Sequence, residues 1–175
     1  TATCPLFVAL TVSGVDPSRP TPGWMAARLE ASGMRSIALA VDISNYVMLE
    51  TGQPNHCYDA DRLDGAIVVR QAEPGEHLVT LDDVDRALDP EDIVIADASG
   101  AIGLGGVMGG ERTELTADTT RIVIECAHFD PIAIARTSRR TKLSSESRRS
   151  CSSPKIWQTC TPAWKHWCVN PSETM

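Results

Sequence analysis

Val41-Asp-Ile-Ser-Asn-Tyr-Val-Met-Leu-Glu-Thr-Gly-Gln-Pro-Asn-His-Cys-Tyr-Asp59 is the most informative stretch for the fold, because it contains a helix pattern with start and stop signals at both ends. Asp42 or Ser44 is predicted to cap the first turn by accepting backbone N–H bonds. An apolar stripe at helical spacing follows, made of Ile43, Tyr46, Val47 and Leu49.

The same stretch contains the end of the helix and a candidate site. Gly52 is the predicted end, because glycine tolerates the left-handed conformation that closes a helix, and Pro54 forbids continuation. Residues 55–59 are therefore predicted to leave the helix as a loop. His56 lies in that loop beside polar groups and is a candidate for chemistry or recognition, although a lone histidine is commonly a hydrogen-bonded structural residue.

Length and composition are those of a globular protein. The chain has 175 residues, of which 42% are hydrophobic, enough for one domain with a core. No apolar run approaches the roughly 18 residues of a membrane span, and the sequence begins with neither an initiator Met nor a signal sequence. We expect a cytoplasmic protein without a membrane partner, and a piece of a longer chain.

The charge is divided unevenly along the chain. The formal net charge is −7, with −10 in residues 1–146 and +3 in residues 147–175. An acidic body argues against free-standing, unspecific nucleic-acid binding, which depends on phosphate neutralisation. If RNA is a partner, other parts of an assembly must hold most of it.

The six cysteines do not indicate a metal site. Three lie far apart in the body and three in the last 25 residues, and no C-x-x-C pair occurs. We therefore predict reduced thiols, with neither a zinc site nor a redox pair.

The elements before the opening stretch are predicted as strand, helix and strand. Leu6–Val12 is rich in β-branched and aromatic residues, as strands are. Thr21 and Pro22 are predicted to open a helix that ends at Gly33, with Trp24, Met25 and Leu29 packing on one side. A strand is predicted for Ile37–Val41.

After Ala66 the pattern changes to short strands separated by turns. The predicted strands are Ile67–Arg70, Leu78–Leu81, Val84–Leu88 and Ile93–Ala96. No helix pattern lies between them, which excludes a doubly wound nucleotide-binding fold. The predicted fold class is α+β, with a curved or barrel-like antiparallel sheet flanked by about three helices.

A glycine-rich segment follows, with five glycines in the eight positions 103–110. It fits neither the dinucleotide nor the mononucleotide motif. Two interpretations stay open: a pocket wall where backbone approaches a ligand, or a tight bend or bulge of the sheet.

The last predicted elements carry charged candidates. Arg121–Phe129 is predicted as a strand with Glu125 at its far end, and Asp130 and Pro131 open a helix. Arg136, Arg139 and Arg140 share one face of that helix. The basic face is either solvated or a phosphate contact. After Glu146 the sequence loses all periodicity, and residues 147–175 are predicted to be a disordered or out-of-frame tail.

Several of these motifs resemble a known family. Four segments are similar to the internal editing domain of the bacterial phenylalanyl-tRNA synthetase beta subunit: Val41–His56, Ile93–Asp97, Gly105–Glu111 and Glu125–Pro131. The resemblance covers about 140 residues, from Cys4 to Glu146, and implies a domain over residues 1–146 that proofreads tRNA(Phe) mischarged with tyrosine.

The resemblance also implies a site and partners. It places Arg35, His56, Gly109 and Glu125 around the substrate, with further contacts from a segment that begins at Ser145 and ends at Ser147. Glu125 is implied to recognise the tyrosine hydroxyl, and His56 to act with it in hydrolysis. The partners implied are the 3′ end of tRNA(Phe), the alpha subunit and the rest of the beta subunit. The domain itself is implied to need no cofactor, since ATP and Mg²⁺ serve only the parent synthetase.

Other roles for these residues are open on the sequence alone. Glu125 could be a surface charge or half of a salt bridge, and Arg35 its partner or a cap for helix carbonyls. The departure from the family after Glu146 leaves a rival hypothesis, a non-catalytic structural or protein-interaction remnant.

Overall fold

The computed structural model describes residues 3–140, with the side chains of Arg139 and Arg140 outside the description. These residues divide into two compact units. The first unit contains residues 3–7, 62–114 and 127–140, and the second contains residues 8–61 and 115–126. Ser145, the domain boundary predicted at residue 146 and the predicted tail lie outside the described residues.

Two helices form one side of the second unit. Helix α1 spans Gly23–Ala31 and helix α2 spans Leu39–Thr51. Helix α2 ends at Gly52, whose φ of 72° is left-handed, so the predicted end is confirmed. The predicted capping is wrong. The N-cap of α2 is Ala38, which has no side chain to bond the first turn.

Asp42 has a different task from capping. Its carboxylate is fully buried and accepts hydrogen bonds from the Thr21 and Ser36 hydroxyls and from the Ile37 amide. These bonds fix the connection between α1 and α2. Because the Ile37 amide donates to Asp42, it is not available for a strand ladder; Ile37 and Ala38 lie outside regular structure, and α2 begins at Leu39. The prediction of a strand over Ile37–Val41 is wrong for this reason.

The second unit also carries most of a three-stranded sheet with the order β1-β9-β2. Its strands are β1 (Leu6–Ser13), β2 (His56–Asp59) and β9 (Arg121–His128). Met25, Leu29, Ile43 and Val47 from the helices pack with sheet residues in one hydrophobic core. The predicted apolar faces are only partly correct, because Trp24 is 45% exposed and Leu49 is 38% exposed.

The first unit is built from short antiparallel strands. A four-stranded sheet has the order β3-β6-β7-β8, and β4 and β5 form a separate hairpin. The strands are β3 (Val68–Gln71), β4 (His77–Val79), β5 (Asp85–Ala87), β6 (Ile93–Asp97), β7 (Gly100–Leu104) and β8 (Met108–Gly109). Helix α3 spans Pro131–Arg140 and begins with the Asp130 carboxylate accepting the Ala133 amide, as predicted.

The glycine-rich segment forms the β7–β8 hairpin, which the strand pattern had not predicted. A Cβ at Gly105 would lie 2.9 Å from Ile93 Cγ2, and one at Gly110 would lie 2.7 Å from the Ile102 carbonyl oxygen. Gly106 has a φ of 65° and packs against Phe129 and Ile134. At these positions the sheet-bend interpretation is correct, because side chains have no room.

The described residues therefore form an α+β fold with three α-helices and antiparallel sheets, as expected. The barrel-like detail of the prediction is not seen, since the strands between residues 3 and 140 fall into separate sheets without closure. No helix in this part of the chain is long and apolar enough to span a membrane.

Candidate functional site

The β2–β9 ladder brings two predicted site residues face to face. The two strands are antiparallel, and His56 lies directly opposite Glu125. Side chains alternate between the faces of a strand, so His56 and Tyr58 share one face with Glu125. Cys57 and Ile124 point to the other face and join the core beneath the helices.

The prediction of a loop over residues 55–59 is therefore wrong. Residues 56–59 are a strand, and the reason lies 67 residues further along the chain, where β9 supplies the hydrogen-bonding partner. A four-residue strand that contains His and Asp carries little β-propensity of its own. Its pairing with β9 decides its conformation.

Glu125 is also placed differently from the prediction. It lies in the middle of β9, not at its end, and is only 5% exposed. Burial raises the pKa of its carboxyl to about 7, although a hydrogen bond from Tyr58 lowers it in part. Within residues 3–140 no salt bridge to Glu125 occurs, so neither the surface charge nor the ion pair describes this residue.

Tyr58 is the partner that sequence reasoning missed. Its side chain is fully buried, and its hydroxyl donates a hydrogen bond of 2.5 Å to Oε2 of Glu125. Burial, with the nearby Glu125 charge, raises the pKa of the phenol well above 10, so the hydroxyl keeps its proton. The signal that could have found it is its i, i+2 spacing from His56, which becomes meaningful only once β2 is recognised as a strand.

His56 completes the cluster. Its ring meets the Tyr58 ring edge to face, with 4.6 Å between centroids and 72° between planes. The residue as a whole is half-buried, but Nε2 is shielded from solvent and has no hydrogen-bond partner among the described residues. Burial lowers the pKa of the imidazole to about 4, so His56 is neutral at pH 7.

The other predicted site residues belong to other elements of the fold. Arg35 is exposed in the α1–α2 connection of the second unit and has no hydrogen bond or ion pair with any described residue. Gly109 belongs to the first unit, where it pairs with Gly103 across the β7–β8 hairpin. Arg136 is exposed on α3, while Arg139 and Arg140 are described only as part of the helix backbone.

The cluster of His56, Tyr58 and Glu125 combines a carboxyl that titrates near neutrality with a neutral imidazole. A buried carboxylate can accept a hydroxyl from a ligand, and an imidazole nitrogen without a partner can position a water molecule. We call these three residues the β2–β9 cluster.

Comparison with known proteins identifies the family. The B3/4 domain family matches residues 3–154. The chain belongs to the B3/4 domain family. Its sequence is 61% identical over 146 residues to the phenylalanine–tRNA ligase beta subunit of Cutibacterium acnes, covering 83% of this chain and 17% of that protein. The resemblance read from the motifs is thereby confirmed.

Other relatives of this B3/4 domain carry the same name. The beta subunit from Leifsonia xyli subsp. xyli is 61% identical over 144 residues, covering 82% of this chain and 17% of that protein. The one from Streptomyces avermitilis is 58% identical over 149 residues, covering 83% and 18%. This chain thus spans less than a fifth of the length of these relatives.

A solved structure supports the fold. It is an N-terminal fragment of the phenylalanyl-tRNA synthetase beta subunit from Pyrococcus horikoshii, with a TM-score of 0.55 and 14% sequence identity. The match covers 78% of this chain and 45% of that one. At this identity the likeness concerns the fold of the B3/4 domain alone.

Proposed function

We propose that this B3/4 domain is the proofreading part of a phenylalanine–tRNA ligase beta subunit and hydrolyses tRNA(Phe) mischarged with tyrosine. The observation that supports it most is the β2–β9 cluster, in which a buried carboxyl lies opposite a histidine whose Nε2 has no partner among the described residues. The similarity to phenylalanine–tRNA ligase beta subunits supports tRNA(Phe) as part of the substrate.

Recognition of tyrosine is assigned to Glu125. Tyrosine and phenylalanine differ by one hydroxyl, and a site built to bind that hydroxyl discriminates far better than an apolar slot. The Glu125 carboxylate already accepts a phenolic hydroxyl from Tyr58. Its second oxygen is therefore the acceptor that we assign to the substrate phenol.

Hydrolysis is assigned to a water molecule positioned at His56. The imidazole is neutral at pH 7, and with a pKa of about 4 it is a weak base, so it orients water by hydrogen bonding more than it removes a proton. An aminoacyl ester is already activated. A water held by His56, by backbone N–H groups or by the tRNA ribose hydroxyl is enough without a protein nucleophile.

The proposal also includes a tRNA partner and further residues of this chain. The partner is the tRNA 3′ end carrying tyrosine. We assign substrate contacts to Arg35, Gly109 and Ser145, and contacts with tRNA phosphates to Arg136, Arg139 and Arg140. In the parent enzyme, the alpha subunit and the rest of the beta subunit contact most of the bound tRNA molecule. We place this enzyme in the cytoplasm. The editing step uses no cofactor, whereas ATP and Mg²⁺ belong to aminoacylation.

Substitution of the proposed sensor tests this function. Hydrolysis of Tyr-tRNA(Phe) and Phe-tRNA(Phe) is measured with the 175-residue chain and with Glu125→Ala. A hydrogen bond to a charged acceptor is worth roughly 1.5 to 3 kcal/mol, so the preference for the tyrosine ester should fall about 10- to 150-fold.

The control variant is Glu30→Ala, which removes an exposed glutamate from α1 and should leave the preference unchanged. If Glu125→Ala keeps the full preference, Glu125 is not the sensor. If the folded wild-type chain hydrolyses neither ester, the rival hypothesis of a non-catalytic remnant is the better one.

A further inference from the structure

We propose that Tyr58 is a positioning residue for tyrosine recognition, since its hydroxyl holds Oε2 of Glu125 and thereby presents the other carboxylate oxygen to the substrate phenol. The inference rests on the proposed function and adds a residue to it. Tyr58 would act through Glu125 without touching the reacting atoms.

The geometry supports a fixed donor. The Tyr58 side chain has no exposed surface, and its ring lies edge to face against His56 at 4.6 Å. A phenol that is fully buried and packed against the His56 ring has little freedom to turn its hydroxyl away from Glu125. The bond crosses the ladder from one residue pair to the next, because Glu125 lies opposite His56 and Tyr58 lies opposite Val123.

The chemistry of the donor supports the role as well. Tyr58 presents to Glu125 the same phenolic O–H that distinguishes tyrosine from phenylalanine. The Glu125 carboxylate therefore already serves as a phenol acceptor in a buried environment. The phenol of the substrate therefore meets a carboxylate whose orientation is fixed and whose negative charge is stabilised by the Tyr58 hydrogen bond.

Within the second unit, few other groups act on this carboxylate. The β2 strand contributes His56 and Tyr58 to its face, and β1 contains no titratable side chain. On β9 itself, Val123 and Arg121 share the face of Glu125; Val123 is apolar, and the exposed Arg121 guanidinium pairs with Asp61. Because His56 is neutral at pH 7, the Tyr58 hydroxyl is the favourable interaction that opposes the cost of burying the charge.

The sign of the pH effect follows. Burial raises the pKa of Glu125, and the Tyr58 bond lowers it. Removing that hydroxyl should therefore raise the pKa of Glu125 further, leaving the carboxyl protonated at pH 7. A protonated carboxyl gives the substrate phenol a weaker acceptor, and higher pH should restore the charged form.

The experiment compares Tyr58→Phe with Tyr46→Phe in the full chain. The control loses the only other tyrosine hydroxyl of the sequence, which lies on the helical surface and accepts a bond from Arg28. Hydrolysis of Tyr-tRNA(Phe) and Phe-tRNA(Phe) is measured from pH 6 to 8.5 after subtraction of spontaneous hydrolysis. In Tyr58→Phe, the preference for tyrosine should fall about tenfold at pH 7 and recover by pH 8.5.

A second measurement does not depend on activity. Titration of the Glu125 carboxyl by carbon-13 NMR should show a midpoint that moves upward by about one pH unit in Tyr58→Phe and stays in place in Tyr46→Phe. If no ester is hydrolysed by the wild type, the proposed function fails, while the titration still decides whether Tyr58 supports the charge of Glu125. An unchanged midpoint, or a preference lost equally at pH 7 and pH 8.5, overturns the role assigned to Tyr58.

Discussion

Two buried carboxylates, one in each unit, differ in how their charge is compensated. The Asp97 side chain in the first unit has no exposed surface, and Glu125 in the second unit is 5% exposed. Both belong to antiparallel strands. Burial acts to raise both pKa values, yet Asp97 has a pKa of about 2 and Glu125 a pKa of about 7.

The difference lies in the donors. Both oxygens of Asp97 accept from the Arg112 guanidinium, and the amides of Asp64 and Ser99 and the Ser99 hydroxyl add further bonds. Among residues 3–140, the Glu125 carboxylate accepts a hydrogen bond only from the Tyr58 hydroxyl. A carboxylate surrounded by donors stabilises the fold, whereas one with a single neutral donor keeps its capacity for a ligand.

The largest expected effect comes from removing the cation of the first site. Arg112→Ala leaves Asp97 buried without its counter-charge, which should lower the free energy of unfolding by about 3 kcal/mol. Urea denaturation at pH 7 measures the loss. Arg121→Ala is the matched control, since its pair with Asp61 is more than half exposed and should cost below about 1 kcal/mol. Equal losses in the two variants would mean that the buried Asp97 depends on its counter-charge no more than the exposed Asp61 does.

An effect of opposite sign is expected at the second site. The folded pKa of Glu125, about 7, lies above its ordinary value of 4.5. The contribution of the protonated Glu125 carboxyl to the stability of the fold is therefore fully present below pH 4.5 and is lost as pH rises through 7. Glu125→Gln keeps an acceptor for Tyr58 but cannot ionise. It should be more stable than the wild type by about 1 to 3 kcal/mol at pH 8.

The pH series supplies the check for this variant. The stability difference between Glu125→Gln and the wild type should grow from pH 4.5 to 7 and then level off, in urea denaturation at pH 4.5, 6, 7 and 8. Glu30→Gln, on an exposed helix surface, should show no such trend. A Glu125→Gln protein that is destabilised equally at every pH would mean that the wild-type charge is compensated after all.

The smallest effect is expected from removing one donor among several. Ser99→Ala deletes the hydroxyl bond to Oδ1 of Asp97, but the Ser99 amide still donates to the same oxygen. We expect a loss of about 0.5 to 1 kcal/mol in the same denaturation assay at pH 7. A loss as large as that of Arg112→Ala would show that the donors act as one unit, not as a graded set.

Local signals were sufficient for much of the fold. Gly52 ended α2 because its backbone adopts a left-handed conformation, and Asp130 began α3 through a bond to the Ala133 amide. Four of the short strands in the first unit lie where regularly spaced short runs between turns predicted them. These features depend on contacts within a few residues, so the sequence displays them directly.

Local signals failed where a distant partner decides the conformation. Asp42 looks like a helix cap in sequence, but the Thr21 hydroxyl, 21 residues away, is one of the donors that hold its carboxylate in the connection before α2. The β7–β8 hairpin was missed because its glycines carry no strand propensity, and close packing against Ile93, Phe129 and Ile102 explains them only in three dimensions.

The residue pattern alone was enough to predict the end of α2, the strand-rich middle and the family, and to make His56 and Glu125 candidates. That these two residues face each other across a ladder, with Tyr58 in contact with both, follows from strand pairing in three dimensions. The physical reason is that burial sets the pKa values of Glu125 and His56, and burial depends on which strands pair, a property shared by residues nearly seventy positions apart.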